Sequence, residues 1–164
     1  MAVAPQVPAE LTLTTIGGSS ATAAQWVTTF HLALVAIDPY TNESSWLLET
    51  AARILTTFRG ADCRTGWLVT ADADDARAFL GPWADELLTF VDPDRIAVKA
   101  LGLERLPALV HVRQDLAVVG VAEGWHPAEW EAVTDNLGRI MSWSRPVLPA
   151  AGDPTPFAGS PALG

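Results

Sequence analysis

The chain is short of sulfur, of lysine and of long apolar runs. Its one cysteine, Cys63, has no second cysteine with which to close an intramolecular disulfide, which suits a reducing compartment. Lys99 stands alone beside nine arginines, and the formal net charge is −9. With no basic stripe, a nucleic-acid backbone would be repelled rather than bound. The longest apolar runs, such as LALVAI at Leu32 to Ile37, are far shorter than the ~20 residues that cross a bilayer, so no membrane insertion is expected. The opening MAVAPQVPAELT has neither the basic start nor the apolar stretch of a secretory signal, and we expect a cytoplasmic protein.

Motifs that would announce a catalytic class are missing too. There is no G-x-x-x-x-G-K phosphate loop and no G-x-S-x-G nucleophile elbow. His31, His111 and His126 are isolated in sequence, with no ligand spacing to one another or to Cys63. Asp72, Asp74 and Asp75 imitate the start of a calcium loop but lack its glycine and its closing glutamate, and an acidic helix start explains them. No metal and no cofactor are expected.

What is present is apolar content, 49% of the residues, arranged in alternating periods. Leu11 to Ile16 alternates as a short strand. Ser19 or Ser20 then caps a helix running to Phe30. His31 to Ile37, almost wholly apolar, reads as a strand buried on both faces. A helix follows from Asn42 to Phe58, with Gly60 as its closing residue. Thr65 to Thr70 is a strand, ADADDARAFL an acidic-capped helix, and Leu87 to Val91 a strand. Pro93 opens a helix to Leu101. Ala108 to Val112 and Ala117 to Ala122, joined by a short polar turn, form an antiparallel hairpin. His126-Pro127 opens a last helix through Met141.

The order β-α-β-α-β-α-β-α-β-β-α predicts an α/β protein with helices on both faces of a mixed sheet. Residues 1–10 read as a flexible lead and 11–145 as the domain. Residues 146–164, rich in proline, alanine and glycine, read as a flexible tail that could dock on a partner.

One segment narrows the reading. Leu101-Gly102-Leu103-Glu104-Arg105-Leu106-Pro107, followed by strand, Arg113-Gln114-Asp115 turn, strand, Gly124 and final helix, resembles the C-terminal half of thioredoxin-like proteins. Leu34 to Ile37 and the loop into the long helix resemble the central strand and active-site loop of that superfamily. The acidic stretch from Asp72 to Asp92, with the strand Leu87 to Val91, is similar to the insertion of peroxiredoxin-like and cytochrome-maturation thioredoxins. The resemblance implies a three-layer α/β/α sandwich ending in a β-hairpin plus helix, with a cis peptide before Pro107. It also places the C-x-x-C motif on Asn42-Glu43-Ser44-Ser45, where no sulfur stands.

Thiol–disulfide exchange requires a thiolate, and Asn42 and Ser45 cannot supply one. Both are good helix caps instead. The chain is therefore expected to be more a binding module than an enzyme, taking a protein or peptide partner as an assembly factor or accessory subunit. The resemblance puts the binding groove at Tyr40, Thr41, Asn42, Glu43, Ser44 and Ser45, with Leu106, Pro107, Gly124 and Trp125, offering open backbone groups to an extended peptide. Trp125 reads equally as a contact residue or as core, and Trp46 as exposed. The alternative function is a thiol enzyme or redox sensor acting through Cys63, although Asp62 and Arg64 roughly cancel beside it.

Overall fold

The computed structural model describes residues 5–164. Seven strands form one mixed sheet in the order β2-β1-β5-β4-β3-β7-β8. The central strand β3 (His31–Ile37) lies parallel to β4 (Cys63–Val69), which lies parallel to β5 (Leu88–Val91). On its other side β3 pairs antiparallel with β7 (Ala108–Val112), and β7 with β8 (Val118–Glu123). At the far edge β1 (Thr12–Thr15) runs antiparallel to β5 and to β2 (Ser20–Thr22).

Strand alternation sorts the core into two layers. Leu32, Leu34 and Ala36 face one layer with Leu68, Phe90 and Val110, under α1 (Ala23–Trp26) and α5 (Ile96–Ala100). Val35, Ile37, Trp67 and Val69 face the other, where α2 (Asn42–Thr57), α3 (Ala73–Leu80), α4 (Trp83–Glu86) and α6 (Pro127–Met141) pack. The result is the three-layer α/β/α sandwich expected. Gly66 makes the tight β4–β5 pairing possible, since a Cβ there would sit 2.1 Å from the Leu88 carbonyl oxygen.

Local readings fail where short-range chemistry outweighs apolar periodicity. The helix expected from Ser19 or Ser20 to Phe30 is confined to Ala23–Trp26, because Ser20–Thr22 pairs with β1 as a hairpin strand. Its cap is Thr22, whose hydroxyl accepts from the Gln25 amide while the Gln25 side chain accepts from the Thr22 amide. Pro93 lies in a turn, and α5 starts three residues later, where the buried Asp92 carboxylate accepts from the Ala97 and Val98 amides. Gly60 does not close α2, which ends at Thr57 with Phe58 as its cap residue. It leaves room for the Trp143 ring, whose carbons a Cβ would approach to 3.1 Å.

The two ends of the chain differ most from expectation. Residues 1–4 of the expected flexible lead lie outside the described residues, but Pro5 to Val7 pairs with the start of β8, and Val7 is buried. The tail expected to be flexible is packed along the domain, with Leu148 and Ala162 buried. It ends in a two-stranded ladder, β9 (Ser160–Pro161) against β6 (Arg105–Leu106). Its lack of periodicity is real, and other groups hold it. Asp153 accepts a bidentate pair from Arg53 at 2.7 and 2.9 Å, a hydroxyl bond from Thr50 and the Ala150 amide.

Candidate functional site

The site is built where β3 ends and α2 begins. Asp38, the residue after β3, is almost fully buried. Its amide donates to Ser44 Oγ at 2.9 Å, its carbonyl accepts from Thr41 Oγ1, and its carboxylate accepts from the Tyr40 amide. These bonds fold the loop Asp38–Thr41 onto the first turn of α2. The helix cap position falls on Thr41, which makes no side-chain cap bond. Asn42 and Ser45 do not cap the helix as expected: both are exposed, and Ser45 Oγ donates back to the Asn42 carbonyl at 2.8 Å. Ser44, one position away from the expected cap, is the buried hydroxyl that organises the loop. Tyr40 is exposed and donates through its hydroxyl to Asp75 on α3, a bond that raises the phenol to about 12. Glu43 is half-buried in the first turn.

The second wall is the segment before β7. The Leu106–Pro107 peptide is cis, and both residues are buried. The Gly124 amide donates to the Pro107 carbonyl at 2.9 Å, which brings the end of β8 alongside. Trp130 Nε1 donates to the Gly124 carbonyl at 2.7 Å, and the Trp125 and Trp130 rings meet edge to face at 5.4 Å. The ten residues from sequence thus fall into two walls, one at the α2 start and one at Leu106, Pro107, Gly124 and Trp125.

The space between the walls is not open. Phe157 exchanges two backbone hydrogen bonds with Trp125, at 2.8 and 3.0 Å, and its ring meets exposed Trp46 edge to face at 5.5 Å. Leu106 pairs with Ser160 and Arg105 with Pro161. The Ala162 amide donates to the Glu104 carbonyl at 2.8 Å. Trp125 Nε1 donates to the Pro154 carbonyl, and the residue is fully buried. The expectation that Leu106 and Trp125 present open backbone groups is therefore corrected: the chain's own tail covers them. Arg95 closes the ring, donating to the Ala162 carbonyl and, at 2.8 Å, to the Asp38 carboxylate.

Six residues of this arrangement escaped the sequence reading: Asp38, Arg53, Arg95, Asp153, Phe157 and Gly159. Phe157, the one aromatic between 146 and 164, is the local signal available; Gly159 is one of three glycines there.

Cys63 is far from these walls along the fold. It opens β4 beside Phe58, at the other end of α2, and its thiol points to the Phe58 carbonyl at 3.9 Å. Burial, with the Asp62 charge adding to it, pushes the thiol up to about 11. His31 and His111 are isolated in sequence but meet in space, Nδ1 to Nε2 at 2.8 Å. No group of three His, Cys, Asp or Glu residues could hold a metal among the described residues.

No protein-family model matches the sequence, and no curated protein matches it significantly. Solved structures do match in shape. A DsbE-like putative thiol:disulfide interchange protein of Chlorobium tepidum superposes with a TM-score of 0.69 at 15% identity, covering 86% of this chain and 99% of that one. A cysteine-to-serine mutant of PrxQ from Xylella fastidiosa gives 0.66 at 17% identity, covering 85% and 97%. A hypothetical protein of Sinorhizobium meliloti gives 0.70 at 11% identity, covering 99% and 94%. The chain has the thioredoxin-like fold. Other solved structures of similar shape include thiol–disulfide oxidoreductases; here the start of α2 carries no sulfur, and the lone thiol lies elsewhere.

Proposed function

We propose that this chain is a redox-inactive thioredoxin-like protein-interaction module, an assembly factor or accessory subunit that binds an extended segment of a protein partner. One observation carries the reading. The backbone of Glu104 to Leu106, together with Trp125, takes an extended strand beside Pro107, and the strand now there is the chain's own Phe157 to Ala162. A surface that pairs with a strand through main-chain groups is a strand-addition site. Chemistry at the same place lacks its parts: Ser44 is buried in the loop, and Ser45 is exposed and bonded to its own helix. The thiol reading through Cys63 is weaker, because a buried thiol raised to about 11 holds little thiolate near neutral pH. The cytoplasm belongs to the proposal as well, since one buried thiol suits a reducing compartment. No helix among the described residues is long and apolar enough to cross a membrane.

The test is selection of a random peptide display library on the full chain, followed by hydrogen exchange of the chain with the enriched peptides. The expected peptides are extended and alter exchange at residues 104–107 and 124–125. Enrichment of nothing, both by the full chain and by a chain whose tail is released from residues 104–107, or of peptides that protect other surfaces only, overturns the reading.

A further inference from the structure

We propose that residues 157–162 are a displaceable, built-in occupant of the groove beside Pro107, and that the partner segment replacing them carries an aromatic residue followed two positions later by glycine. The inference rests on the strand-addition reading above and adds the gate and the specificity.

The tail is fastened unequally along its length. Upstream, Leu148 is buried and the Asp153 carboxylate, 3% exposed, is satisfied four times over by Arg53, Thr50 and the Ala150 amide. Downstream the attachment is mostly main chain. Thr155, Pro156, Ala158 and Pro161 are exposed, Phe157, Gly159 and Ser160 are partly so, and the Ala162 methyl is the buried side chain. Segments with few buried apolar contacts and exposed backbone bonds open at the low end of the free-energy range. Asp153 therefore marks the fixed point, and the residues after it can leave while the upstream anchor holds. A tether this short presents the tail at an effective concentration on the order of millimolar, so a free segment must outbind that to enter.

The occupant also records what the groove accepts. Gly159 has φ +84°, and a Cβ there would stand 2.6 Å from the Leu106 carbonyl oxygen and 3.2 Å from Gly124 Cα. Gly124 has φ +65°, and its Cβ would stand 2.5 Å from the Ala158 carbonyl oxygen. The two glycines pass face to face, with no room for a side chain on either. Two residues earlier, Phe157 packs on Trp46 and is paired to Trp125. Trp46 is 56% exposed, so a larger aromatic contact is available there than the tail uses. An aromatic at the first position and glycine at the third satisfy both constraints.

The experiment measures fluorescence anisotropy of a labelled peptide, Thr-Pro-Phe-Ala-Gly-Ser-Pro-Ala, with the full chain and with its Gly159→Val variant. Hydrogen exchange at Trp125, Phe157 and Ala162 reports tail release, and at β3 and β4 the integrity of the core. The variant is expected to expose the three amides, keep the core protected and bind the peptide at least about tenfold more tightly than the unaltered chain. Peptides with alanine for phenylalanine, or valine for glycine, are expected to lose that binding. Equal binding by both chains overturns the gate and leaves the groove standing. A freed groove that binds peptides lacking the aromatic and glycine equally well overturns the specificity alone. A freed groove that binds no peptide, the display-selected ones included, sinks the strand-addition reading itself. Phe157→Ala repeats the measurement if Gly159→Val loses the core. Should neither variant release the three amides while the core stays protected, the tail is a fixed part of the fold and the gate is overturned.

Discussion

His111 shows how much one side chain can set. It is fully buried, shares its Nε2 with His31 and leaves Nδ1 without a partner among the described residues. Burial, with His31 and Arg113 adding to it, lowers it to about 4; His31 is lowered as well, by burial and Arg113 against the opposing pull of Asp115. The unfolded chain therefore takes up protons near the ordinary histidine value that the folded chain refuses. Stability from this pair is complete above about pH 6.5 and is lost as the pH falls toward 4, at up to about 1.4 kcal/mol per pH unit for each proton. Chemical denaturation at a series of pH values should show the decline, and His111→Phe should flatten it. An equal decline in that variant would place its origin elsewhere.

At the same scale, Cys63 should react with a thiol reagent only slowly in the native chain and rapidly in denaturant, following its buried position and its raised value of about 11. With no sulfur at Asn42 or Ser45, the protein should not reduce insulin disulfides above the dithiothreitol background. Native labelling as fast as that of a free thiol, or turnover above background, would restore the redox reading.

Among the elements, β3, α2, the β7–β8 hairpin and α6 were legible in the sequence because each carries a long apolar period of its own. Leu32 to Ile37, short, apolar and stopped by Asp38-Pro39, reads as a strand buried on both sides, and Pro107 before a hairpin has few other readings. The tail was not legible, because its holding groups are meaningless until their partners are placed. Asp153 is an ordinary loop aspartate in sequence; Arg53 and Thr50, a hundred residues away, make it an anchor. The candidate site suffered the same way: the ten residues named for it fall into two walls, but Asp38, Arg95 and the segment lying across them were not legible. Asp153→Ala removes four acceptor contacts from a buried carboxylate and should cost about 2–3 kcal/mol, with faster proteolysis between 146 and 164. Unchanged stability and proteolysis would show that the anchor does not hold the tail. The Arg53 guanidinium holds this carboxyl down to about 2, so the contribution is present above about pH 4 and lost as pH falls toward 2. In the sheet, Gly66→Ala forces a methyl against the Leu88 carbonyl and should cost at least about 3 kcal/mol by equilibrium unfolding. A loss under about 1 kcal/mol would mean that β4 and β5 separate more easily than their packing indicates.

Over the whole molecule, the sheet supplies the rigid frame and the tail converts its open end into a filled one. Trp125 belongs to both. It lies in the core layer against Trp130 and beneath Phe157 and Pro154. Trp125→Ala should therefore lower the melting temperature, by the equivalent of about 3–5 kcal/mol, and loosen the tail together. Thermal unfolding and exchange at Ala162 on that one variant check both parts, and a drop in stability with the tail still fully protected would separate them.

The facing pair Gly124 and Gly159 has a consequence for inheritance. Gly159, at φ +84°, is required while the tail lies against Leu106 and Gly124, whereas Gly124 is crowded by the tail and also has its own positive φ of +65°. A lineage that sheds its tail relaxes the demand for space at position 124, and one that acquires a side chain at 124 makes its tail useless as a cover. The dependence should therefore run one way: related sequences that keep glycine at 159 should keep it at 124, while those without the tail are free to keep 124 for its backbone alone.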